Sequence, residues 1–242
     1  MAYGRRGGPD LDRILTLGHN VPRSVGGILI AMVVCTVASM VSPTVAGLLV
    51  LHPEAVLSGQ VWRLVTWVLP NADPITLLFA GFVLFWLGRD LANTWSERKF
   101  LQVFFGYALW AACWTTLIAQ IWAGADHAFT GAWPVVNGLL VGWAFSRPGA
   151  QINFFMVLPM TGRVFGWVMV GLTVLFALSS PNGAGDYVPH LAALVLTFLM
   201  NAGITPRRLW LRAKQGWYDA RLKRRSSHLR PVKRDDKPNW MN

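Results

Sequence analysis

Apolar residues in this chain do not alternate with polar ones. They run on, in stretches broken by short segments that carry proline, glycine or charge. Six such runs stand out: Val25–Leu51, Ile75–Ala92, Phe100–Trp122, Gly131–Phe145, Arg163–Leu178 and Val188–Gly203. A helix needs about 20 mostly apolar residues to cross a bilayer. The pattern therefore predicts an all-α, polytopic membrane protein with six transmembrane helices. The fourth run is short, so neighbours must shield its backbone ends, which lipid cannot satisfy. It also holds Gly138 and Gly142, four residues apart, a spacing that lets another helix backbone approach closely. Yet the same run carries Trp133, the bulkiest side chain available, near its start.

Charge sets the direction of the spans. Arginines precede the first span, Arg89, Arg98 and Lys99 surround the second connection, and Arg147 lies in the fourth. The opposite loops carry Glu54, Asp73, Asp126 and Asp186, with Arg63 as their one basic residue. An excess of Lys and Arg marks the cytoplasmic side, so both termini are expected there. The loop His52–Pro74 is long and apolar, and is expected to lie partly embedded at the outer interface. Trp62 and Arg63 would anchor it, an indole beside a cation that snorkels or bonds backbone carbonyls.

The chain has 242 residues, 54% hydrophobic and 14% charged, with thirteen tryptophans, as expected for a membrane protein. Its net charge of +11 is mostly a property of the C-terminal end. Residues 205–242 hold twelve basic and three acidic side chains, whereas residues 24–204 hold six of each. Three regions follow: a leader at 1–24, a membrane domain at 25–204 and a basic tail at 205–242. Leu209, Ala213, Trp217 and Ala220 follow helical spacing with cations between them. Arg207, Arg208, Arg212, Trp217, Lys223, Arg224 and Arg225 would bind anionic lipid at the inner leaflet or an acidic partner. Nucleic acid is not expected.

No cleavable signal peptide is read, because the first apolar run is too long for one. Cys35 and Cys113 fall inside apolar runs and read as buried thiols. The five histidines are scattered without metal-ligand spacing, and no phosphate loop is present. Neither metal nor cofactor is expected.

Four segments in order resemble the rhomboid superfamily. They are GQVWRLVTWVLP with Trp62 and Arg63, WLGRDLANTWSERKFLQVFFGY, INFFMVLPMTGRVFGW and PHLAALVLTF with His190. The resemblance covers about Ser58 to Gly203 and implies a six-helix rhomboid-like bundle. Rhomboid proteases use a Ser–His dyad, with serine in a Gly-x-Ser-Gly pattern on the fourth helix. Here the corresponding stretch is Gly131-Ala132-Trp133-Pro134, so Trp133 stands at the nucleophile position. An indole cannot form an acyl intermediate, and proline lacks the N–H that oxyanion stabilisation would draw on. The family's oxyanion positions fall on Thr76 and Ala80. Threonine there would satisfy a carbonyl of its own helix, and alanine donates nothing. His190 is left as a remnant without a partner nucleophile.

The resemblance thus implies a pseudoprotease in which Trp133 either plugs the former cleft or sits as an interfacial belt residue. The inactive derlins of the same superfamily suggest that such a protein binds or regulates membrane-protein clients. The rival is an atypical rhomboid protease with a substitute nucleophile among Thr130, Cys113, Thr115 and Thr116. A transporter is disfavoured because the span interiors carry almost no charge. A bacterial cytoplasmic membrane is the expected location.

Overall fold

Prolines set many of the helix starts. The computed structural model describes residues 21–122, 127–154, 158–181, 183–203 and 214, with backbone alone for 152–154 and 158. Helix α1, Arg23–Val41, stops at Ser42, whose extended backbone (φ −129°, ψ 109°) suits a residue before proline. Pro43 then opens α2, Pro43–Leu49. The single span expected over Val25–Leu51 is therefore two helices, because Pro43 has no N–H to continue the ladder. Short helices α3, Pro53–Leu57, and α4, Arg63–Thr66, lie in the connection that follows.

Helix α5, Pro74–Trp95, has Asp73 as its N-cap. The Asp73 carboxylate accepts from the Thr76 backbone N–H at 2.8 Å and from the Thr76 hydroxyl at 2.6 Å. These bonds, the hydroxyl's first, hold the Asp73 carboxyl below the usual carboxylate range. Helix α6, Glu97–Ala119, follows after Ser96 alone, which adopts a left-handed φ of 110° to turn the chain. Then come α7, Trp133–Ser146, a hairpin of β1, Gln151–Phe154, and β2, Leu158–Thr161, and helix α8, Gly162–Ser179. A 3-10 turn, Ala184–Tyr187, leads into α9, Val188–Asn201.

The hairpin departs from the all-α expectation. Its strands are antiparallel, with Gln151 opposite Thr161 and Ile152 opposite Met160. Gly162 lets it close onto the end of α7, since a Cβ there would lie 2.3 Å from the Arg147 carbonyl oxygen. The Gly162 N–H instead donates to the Ala150 carbonyl at 2.8 Å.

Helices α1, α5, α6 and α8 are long and apolar enough to cross a membrane. The described α7 and α9 have fourteen residues each, about 21 Å of helix against a hydrocarbon core of about 30 Å. Ten residues of α7 are buried, including Val135, Val136, Leu139 and Val141. In α1 the buried residues are Ser24, Val25, Ile28, Met32 and Thr36, and Ile30, Val34 and Val41 are exposed. The core therefore sits around α7.

Two polar contacts identify which ends share a side. The Ser24 N–H, in the first turn of α1, donates to the Glu97 carboxylate at the start of α6, at 3.1 Å. Asp90, near the end of α5, pairs with Arg147 just after α7. At the opposite end, Leu51 and Phe129 exchange two backbone hydrogen bonds of 2.9 Å. Contacts also divide the chain into two units, Met1–Asn201 and Ala202–Asn242, the second almost wholly beyond the described residues.

Candidate functional site

Helix α2 ends at Leu49, and the carbonyls of Leu48, Leu49 and Val50 are left without a helical N–H. Three side chains of one later turn meet them. The Trp62 indole N–H donates to the Leu48 carbonyl at 3.2 Å, the Thr66 hydroxyl to Leu49 at 3.1 Å, and Arg63 to Val50 at 2.5 Å. Arg63 also donates through Nε to the Gln60 side-chain oxygen at 2.7 Å and is only 5% exposed. It does not snorkel. Trp62 remains 48% exposed, with Leu57 and Val61 exposed beside it, so this loop turns an apolar surface outward. A hydrogen bond from a charged donor is worth about 1.5–3 kcal/mol, which makes Arg63 the strongest of the three clamps.

The same loop holds the chain entering α7. Thr130 donates its hydroxyl to the Pro70 carbonyl at 2.9 Å, Gly131 its N–H to Trp67 at 3.0 Å, and Ala132 its N–H to the Asn71 side-chain oxygen at 3.3 Å. Gly131 sits at φ 111°, a conformation that disfavours any side chain. Asn71 is in turn fixed by its N–H to the Thr36 hydroxyl of α1 at 3.0 Å. Four consecutive residues, Phe129 to Ala132, are thus bound to the first loop before Trp133 begins the helix.

Inside the bundle α7 lies against α6 and α9. A Cβ on Gly138 would fall 2.8 Å from the Tyr107 ring and 3.1 Å from the Ala193 methyl; one on Gly142 would fall 3.5 Å from the Thr197 methyl. Thr197 Oγ1 lies 2.9 Å from the Gly138 carbonyl and 3.0 Å from the Ala193 carbonyl. Its single proton serves these acceptors, so the Tyr107 hydroxyl, 3.0 Å away, donates to it. The pairing of Gly138 with Ala193 and of Gly142 with Thr197 makes α7 and α9 parallel. Counting outward from it puts Trp133 and His190 within one helical turn of the same depth.

Trp133 is half-buried and packs against the main core. His190 lies against the Tyr187 ring, with centroids 5.0 Å apart, and its Nδ1 is buried without a hydrogen-bond partner among the described residues. Ala80 is fully buried. Thr76 does not bond a carbonyl of its own helix as expected. It lies in the first turn, where no preceding helical carbonyl exists, and its hydroxyl goes to Asp73. Of the other hydroxyls, Thr115 donates to the Ala111 carbonyl at 2.8 Å, while Thr116 Oγ1 is buried without a partner among the described residues. The tail residues Arg207, Arg208, Arg212, Trp217, Lys223, Arg224 and Arg225 lie outside the described residues.

Three polar groups escape a reading for the dyad. Asn137, one turn below Trp133, donates to the Thr173 hydroxyl of α8 at 2.8 Å, and its side-chain oxygen has no partner among the described residues. Its signal is a lone amide in an apolar run. Asp90 accepts from the Trp143 indole at 2.7 Å and pairs with Arg147, whose guanidinium lies 5.3 Å from the Trp143 ring centroid. Its signal is one acid near the end of a span. At the end where Leu51 meets Phe129, Asp186 bridges two segments, accepting from Ser180 at 2.6 Å and meeting His127 Nε2 at 2.8 Å.

Residues 26–202 match the family described as Eukaryotic integral membrane protein (DUF1751). The chain belongs to this family. Membership in DUF1751 establishes an integral membrane protein and overturns the expected bacterial cytoplasmic membrane, because the family is described as eukaryotic. No curated protein matches the chain.

Proposed function

We propose that this DUF1751 protein is a rhomboid-like, non-catalytic membrane protein that binds or regulates membrane-protein clients. The observation that carries the reading is Trp133, an indole in the first turn of α7, at the depth of His190 and packed against the core. Hydrolysis by a dyad needs a hydroxyl or thiol within reach of its base. The imidazole instead rests on Tyr187, the Thr130 hydroxyl is bound to Pro70, and the Thr76 hydroxyl to Asp73.

Six crossings are part of the proposal. The parallel course of α7 and α9 requires α8 to return between them, which supports counting both short helices as spans. Both termini then lie on the cytoplasmic side. A short enclosed α7 and a loop with exposed Leu57, Val61 and Trp62 would thin the adjacent bilayer, and mismatch has a modest cost per ångström. A client helix that relieves this mismatch is drawn to the site.

A photocrosslinking residue replacing Trp62 in native membranes tests the reading. Capture of full-length membrane proteins is expected, unchanged in length when His190→Ala is added. Truncated partners that become full-length with His190→Ala would overturn it. The rival, an atypical protease, draws on His190 Nδ1 and Thr116 Oγ1, which have no hydrogen-bond partner among the described residues. It predicts fluorophosphonate labelling that is lost in Thr116→Val.

A further inference from the structure

Two buried polar atoms around α7 have a chemistry that can be worked out from their neighbours. The first belongs to Asn137, which is 2% exposed. Thr173 Oγ1 gives its one proton to the Met169 carbonyl at 2.8 Å, so toward Asn137 it can only accept. That fixes the amide. Nδ2 faces Thr173, and Oδ1, a pure acceptor, is the atom with no partner among the described residues. The second is His190 Nδ1, also without a partner among them. Both atoms are closed off from outside solvent.

Helical phase brings the two side chains to one wedge. Asn137 points at α8, through Thr173. On α9, Ala193 and Thr197 face α7, and the Phe198 ring lies 5.7 Å from Phe145 and 5.9 Å from Trp167 of α8. His190 is rotated about 60° from Ala193, toward the side of Phe198. It therefore points between α7 and α8. Gly138 lies level with Ala193. Asn137 stands one residue above that level and His190 three, a difference in depth of about 3 Å.

The donor set narrows the ligand. An apolar group would leave Oδ1 unpaired in a bundle where an unmet polar atom is costly. One amide oxygen and one imidazole nitrogen fall short of the four ligands of a tetrahedral metal ion. Asn137 Oδ1 needs a donor, and His190 Nδ1 needs a donor or an acceptor according to tautomer. Water serves either case, and buried waters are held by two to four such partners.

We propose that a resident water molecule bridges Asn137 Oδ1 and His190 Nδ1 in the wedge between α7, α8 and α9. The proposal rests on helix packing and does not depend on client binding or on the absence of catalysis. Its first test is a double-mutant cycle, read as equilibrium unfolding of the full chain in detergent. Asn137→Leu and His190→Leu each strand the opposite group, and each is expected to lower the folding equilibrium constant about tenfold. The double variant is expected to lose about tenfold as well, because it leaves neither end unpaired. A loss of about a hundredfold, the product of two independent effects, would overturn the proposal.

The second test separates water from a direct contact and needs only the folded wild type. In solid-state NMR of the full chain in hydrated phosphatidylcholine bilayers, labelled with 15N-histidine, magnetisation started on water is expected to reach His190 Nδ1. His190→Phe assigns the signal. The transfer should persist in Ser146→Ala, at the exposed far end of α7, and be lost in Asn137→Leu. No transfer in wild type would overturn the proposal, as would equal transfer in Asn137→Leu.

Discussion

Helices α1 and α7 are both apolar, yet they solve the membrane problem in opposite ways. The first has nineteen residues, of which five are buried; the second has fourteen, of which ten are buried. Length and exposed Val, Ile and Met residues suit α1 to lipid. Glycines, an asparagine and tethers at its start suit α7 to protein. The lesson is that hydrophobicity alone does not say what a membrane helix faces. The spacing of small residues and the hydrogen bonds at its ends decide it.

The contrast is sharpest at glycine. Gly138→Leu is expected to cost about 3 kcal/mol or to prevent folding, because its Cβ would lie 2.8 Å from Tyr107. Gly27→Leu on α1, where a Cβ meets nothing within 4 Å, should leave stability in detergent unchanged. Equal melting temperatures for the two variants would erase the distinction between the helices.

The tethers come next. Arg63→Ala leaves the Val50 carbonyl without its donor and is expected to cost about 1.5–3 kcal/mol. Limited proteolysis should then cut the connection between Leu48 and Asp73 faster than in wild type. Smaller again is the Asn137–Thr173 bond. A double-mutant cycle with Asn137→Ala and Thr173→Val is expected to give a coupling of about 0.6 kcal/mol, the membrane average.

The smallest effect is a pH dependence at the α5 cap. The folded Asp73 carboxyl lies below its unfolded value. Its contribution is therefore present above the ordinary carboxylate pKa and lost as pH falls through the lowered one. Asp73→Ala should destabilise the protein at pH 7 and have little effect once the carboxyl is protonated in both states.

Much of the helical layout is legible in the sequence because apolar runs are long and loops carry charge. The break at Ser42 is less so, since Val41 and the residues after Pro43 are as apolar as the helix before them. The hairpin at Gln151–Thr161 is hidden for a related reason: its residues are as apolar and aromatic as a span, and its approach to α7 depends on Gly162. At the candidate site, Trp62 and Arg63 can be named from their motif. Their acceptors cannot, because Leu48 to Val50 become available only where α2 ends, before Pro53 opens the next helix. Asp90 reads as one acid in a basic connection, and only the fold brings Arg147 and Trp143 to it. Asn137 is a single amide whose partner lies thirty-six residues away on α8.

The central claim is that Trp133 stands where a cleaving enzyme would need a reactive oxygen. The direct measurement is cleavage of transmembrane substrates by the purified protein in proteoliposomes, alongside His190→Ala. No cleavage by either protein is the expected result. Cleavage by the wild type that disappears in His190→Ala would contradict it.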